Sequence, residues 1–528
     1  MTSTFPVGKP ASFAERWRSL VERAESPASA SGLVAFRVLF GLLATFGALR
    51  FQWNGWVERS FEAPTFFFHY WGFAWVRPLT IPQMHALFVT MAICGLCIAM
   101  GLLYRVATIV YFLTFTFVEL CDVTNYLNHY YLQSILGLLL CVLPLHRAFS
   151  VDAKLRPSIK LSSFPRYYTW LFRAQLTIVY FFAAMAKFTP DWLLHGQPMQ
   201  IWLHARTDTP FIGPLFDIPF VPLAMSWAGF LYDLTIPLWL LHPKTRTPAY
   251  GVVLVFHAFT KLLFPIGLFP VIMTVGTLVF FDYDWPVSLQ RFALRVRGLL
   301  LLRRFAWRVR GTSAPPTPPG SLVRRSAPPR SAASWGNSVS PPALGASERD
   351  VDAPASLQKS AKAKRWPLLL AGVWVVVQFL LPLRTHAYGG NVLWHEQGMR
   401  WSWRVMAREK NGSVMFRVHA RGFAHEQLVQ PRRYLNAVQE REMAVQPDLI
   451  LQLAHRIAAD YRGRGLEDVQ VRADAYCSLN GRPMALLIDP DVDLASVEMG
   501  LLPAPWILPA PEGAPPSLQR VSHAHLED

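Results

Sequence analysis

The sequence predicts a polytopic α-helical membrane protein of about nine transmembrane helices, with a C-terminal α+β domain outside the membrane. Three observations carry that prediction. Of 528 residues, 52% are hydrophobic and only 16% charged, and the mean hydropathy of +0.25 is high for a soluble enzyme. Apolar segments recur along the chain at lengths that suit a bilayer. Lysine and arginine alternate between rich and poor in successive loops.

The apolar segments lie near 33–49, 81–103, 105–120, 127–145, 166–188, 220–242, 248–264, 267–281 and 366–383. A crossing needs about 20 residues, and roughly 17 suffice. The first, third, seventh and eighth are therefore short or marginal. The pair 248–264 and 267–281 is split by Pro265-Ile266-Gly267 and reads as two crossings or as one broken, re-entrant unit. Residues 1–32 are polar and show no cleavable signal peptide.

Charge then orients the spans. With the N-terminus in the cytoplasm, Lys9, Arg16, Arg18 and Arg23 lie inside. So do Arg105, the 146–165 loop with Arg147, Lys154, Arg156 and Lys160, the Lys244 and Arg246 pair, and residues 282–365. Two of the opposite loops are poor in cations: 121–126 has none, and 189–219 has only Arg206. Nine spans satisfy the positive-inside rule and put residues 384–528 outside. The net charge of +17 is thereby explained without nucleic acid, which is not an expected partner. In a bacterial host this predicts an inner-membrane protein with a periplasmic C-terminal domain.

Residues 286–310 mix arginine with Leu, Phe and Trp and suit an amphipathic helix on the inner leaflet. Residues 311–365 are rich in Pro, Ser, Ala and Gly and read as a disordered linker ahead of the last span, 366–383. The exterior domain covers 384–510, with 511–528 as a tail. Within it, Met399–Glu409 and Ser413–Arg421 read as a hairpin around Lys410-Asn411-Gly412. Leu449, Leu453, Ile457 and Tyr461 have helical spacing, and Val469–Leu479 with Pro483–Ile488 form a second hairpin around Asn480-Gly481. Cys94-Gly-Leu-Cys97 has redox spacing, but it sits in an apolar span where small residues favour helix packing. No metal site is expected.

Polar groups inside the spans are the functional signal, because burying an ionisable group in a bilayer is costly. Lys187 ends the fifth span within YFFAAMAKFTPDW, and CDVTNYLNH places Asp122, Asn125, Asn128 and His129 at a helix junction on the same side. His257 lies in the seventh span near Lys261. Plainer readings compete: Lys187 snorkels to the head groups or pairs with Asp191, and His129 and His257 are packing histidines.

From about residue 33 to 510 the chain resembles the vitamin K-dependent γ-glutamyl carboxylases and their bacterial relatives, the horizontally transferred transmembrane (HTTM) family. The resemblance rests on CDVTNYLNHYYL, FRAQLTIVYFFAAMAKFTPDWLLHGQPM, YDLTIPLWLL, FHAFTKLLFPIGLFP, NVLWHEQGMRWSWRVM and LLIDPDVDL, in that order. It implies a carboxy-lyase that oxygenates reduced vitamin K, a hydroquinone, to its epoxide. That reaction generates a base which removes a γ-proton from a protein glutamate, and the carbanion captures carbon dioxide. The implied cofactor is a menaquinol- or phylloquinol-type hydroquinone, with oxygen and carbon dioxide as co-substrates. The implied partners are the lipid bilayer and a glutamate-containing protein.

The resemblance assigns Lys187 as the active-site lysine, and His129 as a histidine that stabilises an oxyanion, with Asn128 orienting it or donating a hydrogen bond. His257, Asp122, Tyr180, Trp192 and Trp394 are the candidate cofactor-binding residues. A lysine at its reference pKa of about 10.4 is protonated at neutral pH, whereas desolvation disfavours the ammonium and makes a buried lysine a candidate general base. Two departures stand out. Ala186-Lys187 replaces the two adjacent lysines of animal members, and their last β-rich portion is expected to be missing after Trp506. Two other readings therefore stay open: a quinone-oxygenating enzyme without peptide carboxylation, and a non-enzymatic quinone or lipid binder.

Overall fold

The computed structural model describes residues 12–295 and 366–516. It is mostly helical. An amphipathic helix, α1 (Phe13–Glu25), precedes the bundle and begins with a capping box between Ser12 and Glu15. Its Phe13, Trp17 and Leu20 are exposed, an apolar face that suits a membrane surface and that the polar reading of residues 1–32 overlooked.

The bundle helices are α2 (Ser31–Trp53), α3 (Ile81–Met100), α4 (Tyr104–Leu120), α5 (Asn128–Val142), α6 (Arg166–Lys187), α7 (Val221–Leu241), α8 (Arg246–Leu263), α9 (Phe269–Gly276) and α10 (Trp366–Leu383). Among the described residues, five helices are long and apolar enough to cross a membrane: α2, α3, α6, α7, and α10 with the turn that follows it. A 3-10 turn, Thr277–Phe280, continues α9 to give only a short apolar helix. The backbone between α8 and α9 breaks at Phe264–Leu268, where Gly267 takes a left-handed φ of 60°.

Small residues let α2 and α3 approach closely. A Cβ on Gly41 would lie 2.5 Å from the Gly95 carbonyl, and one on Gly95 would lie 2.5 Å from Thr45 Oγ1. Cys94 and Cys97 flank that contact as free thiols. At the opposite end from the exterior domain, buried Arg37 donates to the carbonyls of Leu145, Ala148 and Phe149 at 2.8–3.1 Å, so one guanidinium satisfies three backbone groups that loop ends leave unpaired.

The C-terminal region holds a four-stranded antiparallel sheet in the order β2-β1-β3-β4, from β1 (Lys410–His419), β2 (Gln427–Val429), β3 (Gln470–Leu479) and β4 (Ala485–Leu486). Phe416 pairs with Ala473 in the central register. Helix α11 (Pro447–Gly463) buries Leu449, Ile450, Leu453, Ile457 and Tyr461 against it. The β3–β4 turn has Asn480 at φ 53° and Gly481 at φ 82°, the paired left-handed conformation that an Asn-Gly turn favours. The hairpin expected at Lys410-Asn411-Gly412 is absent. Those residues continue β1, and Gly412 is needed for close approach, since a Cβ there would sit 2.4 Å from the Ala444 carbonyl. Residues 285–295 are helical, while the rest of the 286–310 segment, the 311–365 linker and residues 517–528 lie outside the described residues.

Candidate active site

The site forms where the exterior domain meets the bundle. The decisive segment is Trp401–Met406, which carries left-handed φ at Trp401, Trp403 and Met406 (62°, 59° and 47°). Bulky residues adopt that conformation only when their surroundings enforce it. Trp401 stacks on Tyr70 with centroids 5.4 Å apart, and its amide donates to Tyr126 Oη at 2.8 Å. Trp403 is buried and stacks on Tyr131 at 4.7 Å. The segment is thus fastened to the start of α5.

Lys187 lies at the end of α6, 6% exposed. Its Nζ donates to Asp233 Oδ2 on α7 at 2.9 Å, to the Val405 carbonyl at 3.1 Å and to the Ala183 carbonyl at 3.2 Å. Three acceptors for three N–H groups describe a satisfied ammonium. Nζ also stands 5.4 Å from the Trp192 ring, whose Nε1 donates to the Ser226 carbonyl. Lys187 therefore does not snorkel, and it does not pair with Asp191, which instead binds Arg482 at 2.6 Å. The expectation that burial alone governs this lysine is incomplete, because Asp233 gives the ammonium a buried counter-charge.

Beyond the Val405 backbone lies a cavity of about 680 Å³, lined by Val405 and Met406 but by neither Lys187 nor Trp192. Phe51, Trp56, Phe61, Phe88, Tyr111, Phe115, Leu268, Phe269 and Ile272 supply most of its wall, and Arg50, Glu119, Asn128, His129, Gln133 and Lys261 its polar groups. His129 starts α5 with no ring-nitrogen hydrogen bond among the described residues, and its ring meets Phe269 at 5.9 Å. Asn128 is already engaged: Oδ1 accepts from Tyr126 Oη at 3.1 Å, and Nδ2 donates to the Arg404 carbonyl at 3.3 Å. It fixes the α5 start against the 401–406 segment, which favours the orienting role over the donating one.

The remaining sequence-derived residues divide. Tyr180 Oη, Tyr232 Oη and His257 Nε2 form a buried chain with 3.4 Å steps beside Asp233, and His257 Nδ1 has no partner among the described residues. None of these lines the cavity. Asp122 caps the 3-10 turn Val123–Asn125 through Thr124 and accepts from Gln439 of the exterior domain at 2.8 Å. Burial pushes its carboxyl up to about 6 despite those bonds. Trp394 sits in the exterior core and donates to the Leu508 carbonyl at 2.9 Å. Asp122 and Trp394 thus join the domain to the bundle or to itself and do not line the cavity.

Residues 25–285 match the family model of the HTTM domain, and residues 363–513 match that of the vitamin K-dependent gamma-carboxylase, lumenal domain. The two lie in the order that the sequence segments set out, and together they span both sides of the cavity. The chain belongs to the vitamin K-dependent γ-glutamyl carboxylase family. No solved structure matches it. Family membership supports a membrane enzyme of the carboxylase type that uses reduced vitamin K.

Sequence reasoning missed Asp233, Arg50, Glu119 and Gln133. Asp233 had a signal, since it is the single acid in the apolar run of α7 and lies within YDLTIPLWLL, a segment already singled out. Arg50 was also legible, as a cation inside the last turn of α2.

Proposed function

We propose that this protein couples oxygenation of a vitamin K-type hydroquinone to carboxylation of glutamate in a protein substrate, using oxygen and carbon dioxide. The observation that carries this reading is a buried Lys187–Asp233 pair, joined through the Val405 carbonyl to an apolar cavity whose wall bears His129. The cavity fits the cofactor by its chemistry. Its aromatic walls suit a flat ring with an apolar tail, its few polar groups suit two ring oxygens, and its volume lies in the usual range for small-molecule sites. When bound there, the hydroquinone supplies the reducing electrons for oxygen and thereby the strong base that glutamate deprotonation needs.

The residues divide the remaining work. Lys187 and Asp233 share one buried charge-assisted hydrogen bond of 2.9 Å and so hold their protons between them. With one proton fewer than the resting pair, Lys187 Nζ is a neutral amine, and a shift of the Val405 peptide that separates it from the cavity would let it accept a hydroquinone hydroxyl proton. Asp233 and the Val405 carbonyl aim that nitrogen. His129 lines the cavity with no ring-nitrogen hydrogen bond among the described residues, and a ring N–H there would donate to negative charge developing on oxygen. Asn128 is a positioning residue for His129. In a bacterial host the chain lies in the inner membrane with about nine spans, the N-terminus cytoplasmic and residues 384–510 periplasmic, a reading the loop charges support.

The test uses the purified full chain in lipid with reduced vitamin K, labelled carbon dioxide and a glutamyl peptide, with epoxide and fixed carbon assayed separately. Both products should form, and both should fall in Lys187→Ala. Epoxide without fixed carbon would restrict the activity to quinone oxygenation. Neither product would leave a binding function on the same scaffold.

A further inference from the structure

We propose that Arg50 and Lys261 form a carboxylate subsite in the cavity, which takes the side chain of the glutamate to be modified. The inference rests on the carboxylase reading above. Both residues line the cavity, and neither makes an ion pair among the described residues. The Arg50 guanidinium stands over the Trp56 ring at 4.6 Å and makes no side-chain hydrogen bond among the described residues. Lys261 Nζ spends one donor on the Gly267 carbonyl at 2.9 Å. Gly267 ties the cluster together, because a Cβ there would lie 4.0 Å from both the Arg50 guanidinium and His129 Nε2.

The cavity's one acidic residue, Glu119, accepts from Ser134 and lies outside ion-pair distance of both cations. Arg50 is half-buried and Lys261 exposed, so a carboxylate entering the cavity would meet both cations with no internal acid to displace. A hydroquinone is neutral at neutral pH, with a phenol-like pKa near 10, and carbon dioxide is uncharged. Glutamate is the anionic reactant, and its product carries two carboxylates on one carbon. Two cations on one wall therefore match both the substrate and, better, the product. Arginine suits this task because its planar fork meets a carboxylate with two hydrogen bonds.

The experiment measures binding without turnover, on the full chain in nanodiscs, with a short glutamyl peptide and its glutaminyl counterpart. The wild type should prefer the glutamyl peptide by about tenfold or more, the size of a charge-assisted hydrogen bond. Arg50→Gln should erase the preference, and Lys261→Gln, at an exposed position that tolerates change, should reduce it. Affinity for oxidised vitamin K should stay within about twofold in both, a smaller change than the loss of one neutral hydrogen bond brings. An unchanged preference in both variants, no preference in the wild type, or quinone affinity falling in step with peptide affinity would each overturn the subsite. Carboxylation is scored separately. Arg50-dependent peptide binding in a protein that fixes no carbon would refute the carboxylase reading and leave the subsite standing.

Discussion

Breaking the Lys187–Asp233 pair from either side should destabilise the protein, and removing both partners should restore most of the loss. The side chains are 7% and 10% exposed and meet at 2.9 Å. Deleting one partner of such a buried pair typically costs about 3–5 kcal/mol. The same figure follows from ionisation: at pH 7 an orphaned aspartate takes up a proton at a cost of about 4 kcal/mol, and an orphaned lysine releases one at about 5 kcal/mol, from their reference pKa values. The penalties have opposite pH dependence. Acid should relieve Lys187→Ala, because protons are what its orphan lacks, and alkali should relieve Asp233→Asn. The double variant Lys187→Met/Asp233→Leu leaves no orphan and should melt within a few degrees of wild type, while catalysing neither oxygenation nor carboxylation. Thermal unfolding in one lipid system across a pH series supplies the assay and closes a double-mutant cycle. Additive losses, or single variants that melt like wild type at every pH, would refute the buried-pair argument and the assignment of both residues to one proton-handling unit. By the same argument Lys187→Ala by itself is not a neutral deletion, since it strands a carboxylate.

Three further outcomes follow from other parts of the molecule. Gly412→Ala should lower the melting temperature of the exterior domain, because the new Cβ would stand 2.4 Å from the Ala444 carbonyl; an unchanged melt would show that the strand shifts freely. At Asp191, burial opposes ionisation, but Arg482 and Asn480 outweigh it and hold the carboxyl below the usual carboxylate range. A depressed acid stabilises above its unfolded pKa, so this tie between residues 190–193 and the β3–β4 turn should weaken as pH falls below about 4. Protection factors around Asn480, corrected for the intrinsic exchange rate at each pH, should then fall on acidification in wild type and already be lowered at pH 7 in Arg482→Ala; protection equal in both would exclude the tie. Finally, a reporter fused after Trp506 should report export in a bacterial host, and cytoplasmic activity there would overturn the nine-span topology.

The helices were legible because apolar length is written directly in composition. Each of the nine apolar segments contains a helix, although only five are long enough to cross by length and composition alone. The 267–281 segment is the weakest, since its backbone passes from α9 into a 3-10 turn. Local signals in the exterior domain were less dependable. Asn480-Gly481 and Asn411-Gly412 look alike in sequence, yet one is a turn and the other lies inside a strand. The difference comes from Ala444, more than thirty residues away from Gly412, whose carbonyl occupies the space a side chain would need. Glycine has two uses, a left-handed φ and a close approach, and a single sequence does not separate them.

The site was half legible for a related reason. Lys187 and His129 announce themselves as ionisable residues in apolar helices, but the groups that give them a chemical role come from elsewhere in the chain. Asp233 lies 46 positions from Lys187, and Val405 lies 218 positions away. The 401–406 stretch reads as a strand, and three left-handed residues, two of them tryptophan, have no local signature. Their conformation is imposed by Tyr70, Tyr126 and Tyr131, which clamp the segment over the start of α5. Local preference fails there because the exterior domain is turned to close the cavity, and a segment that must do so follows the bundle it covers. Val405 then lines the cavity and, through its carbonyl, accepts from Lys187. Seating of the exterior domain and the proton state of the Lys187–Asp233 pair are thereby joined through one peptide group. A change that unseats residues 401–406 removes an acceptor from Nζ and opens the cavity in the same movement.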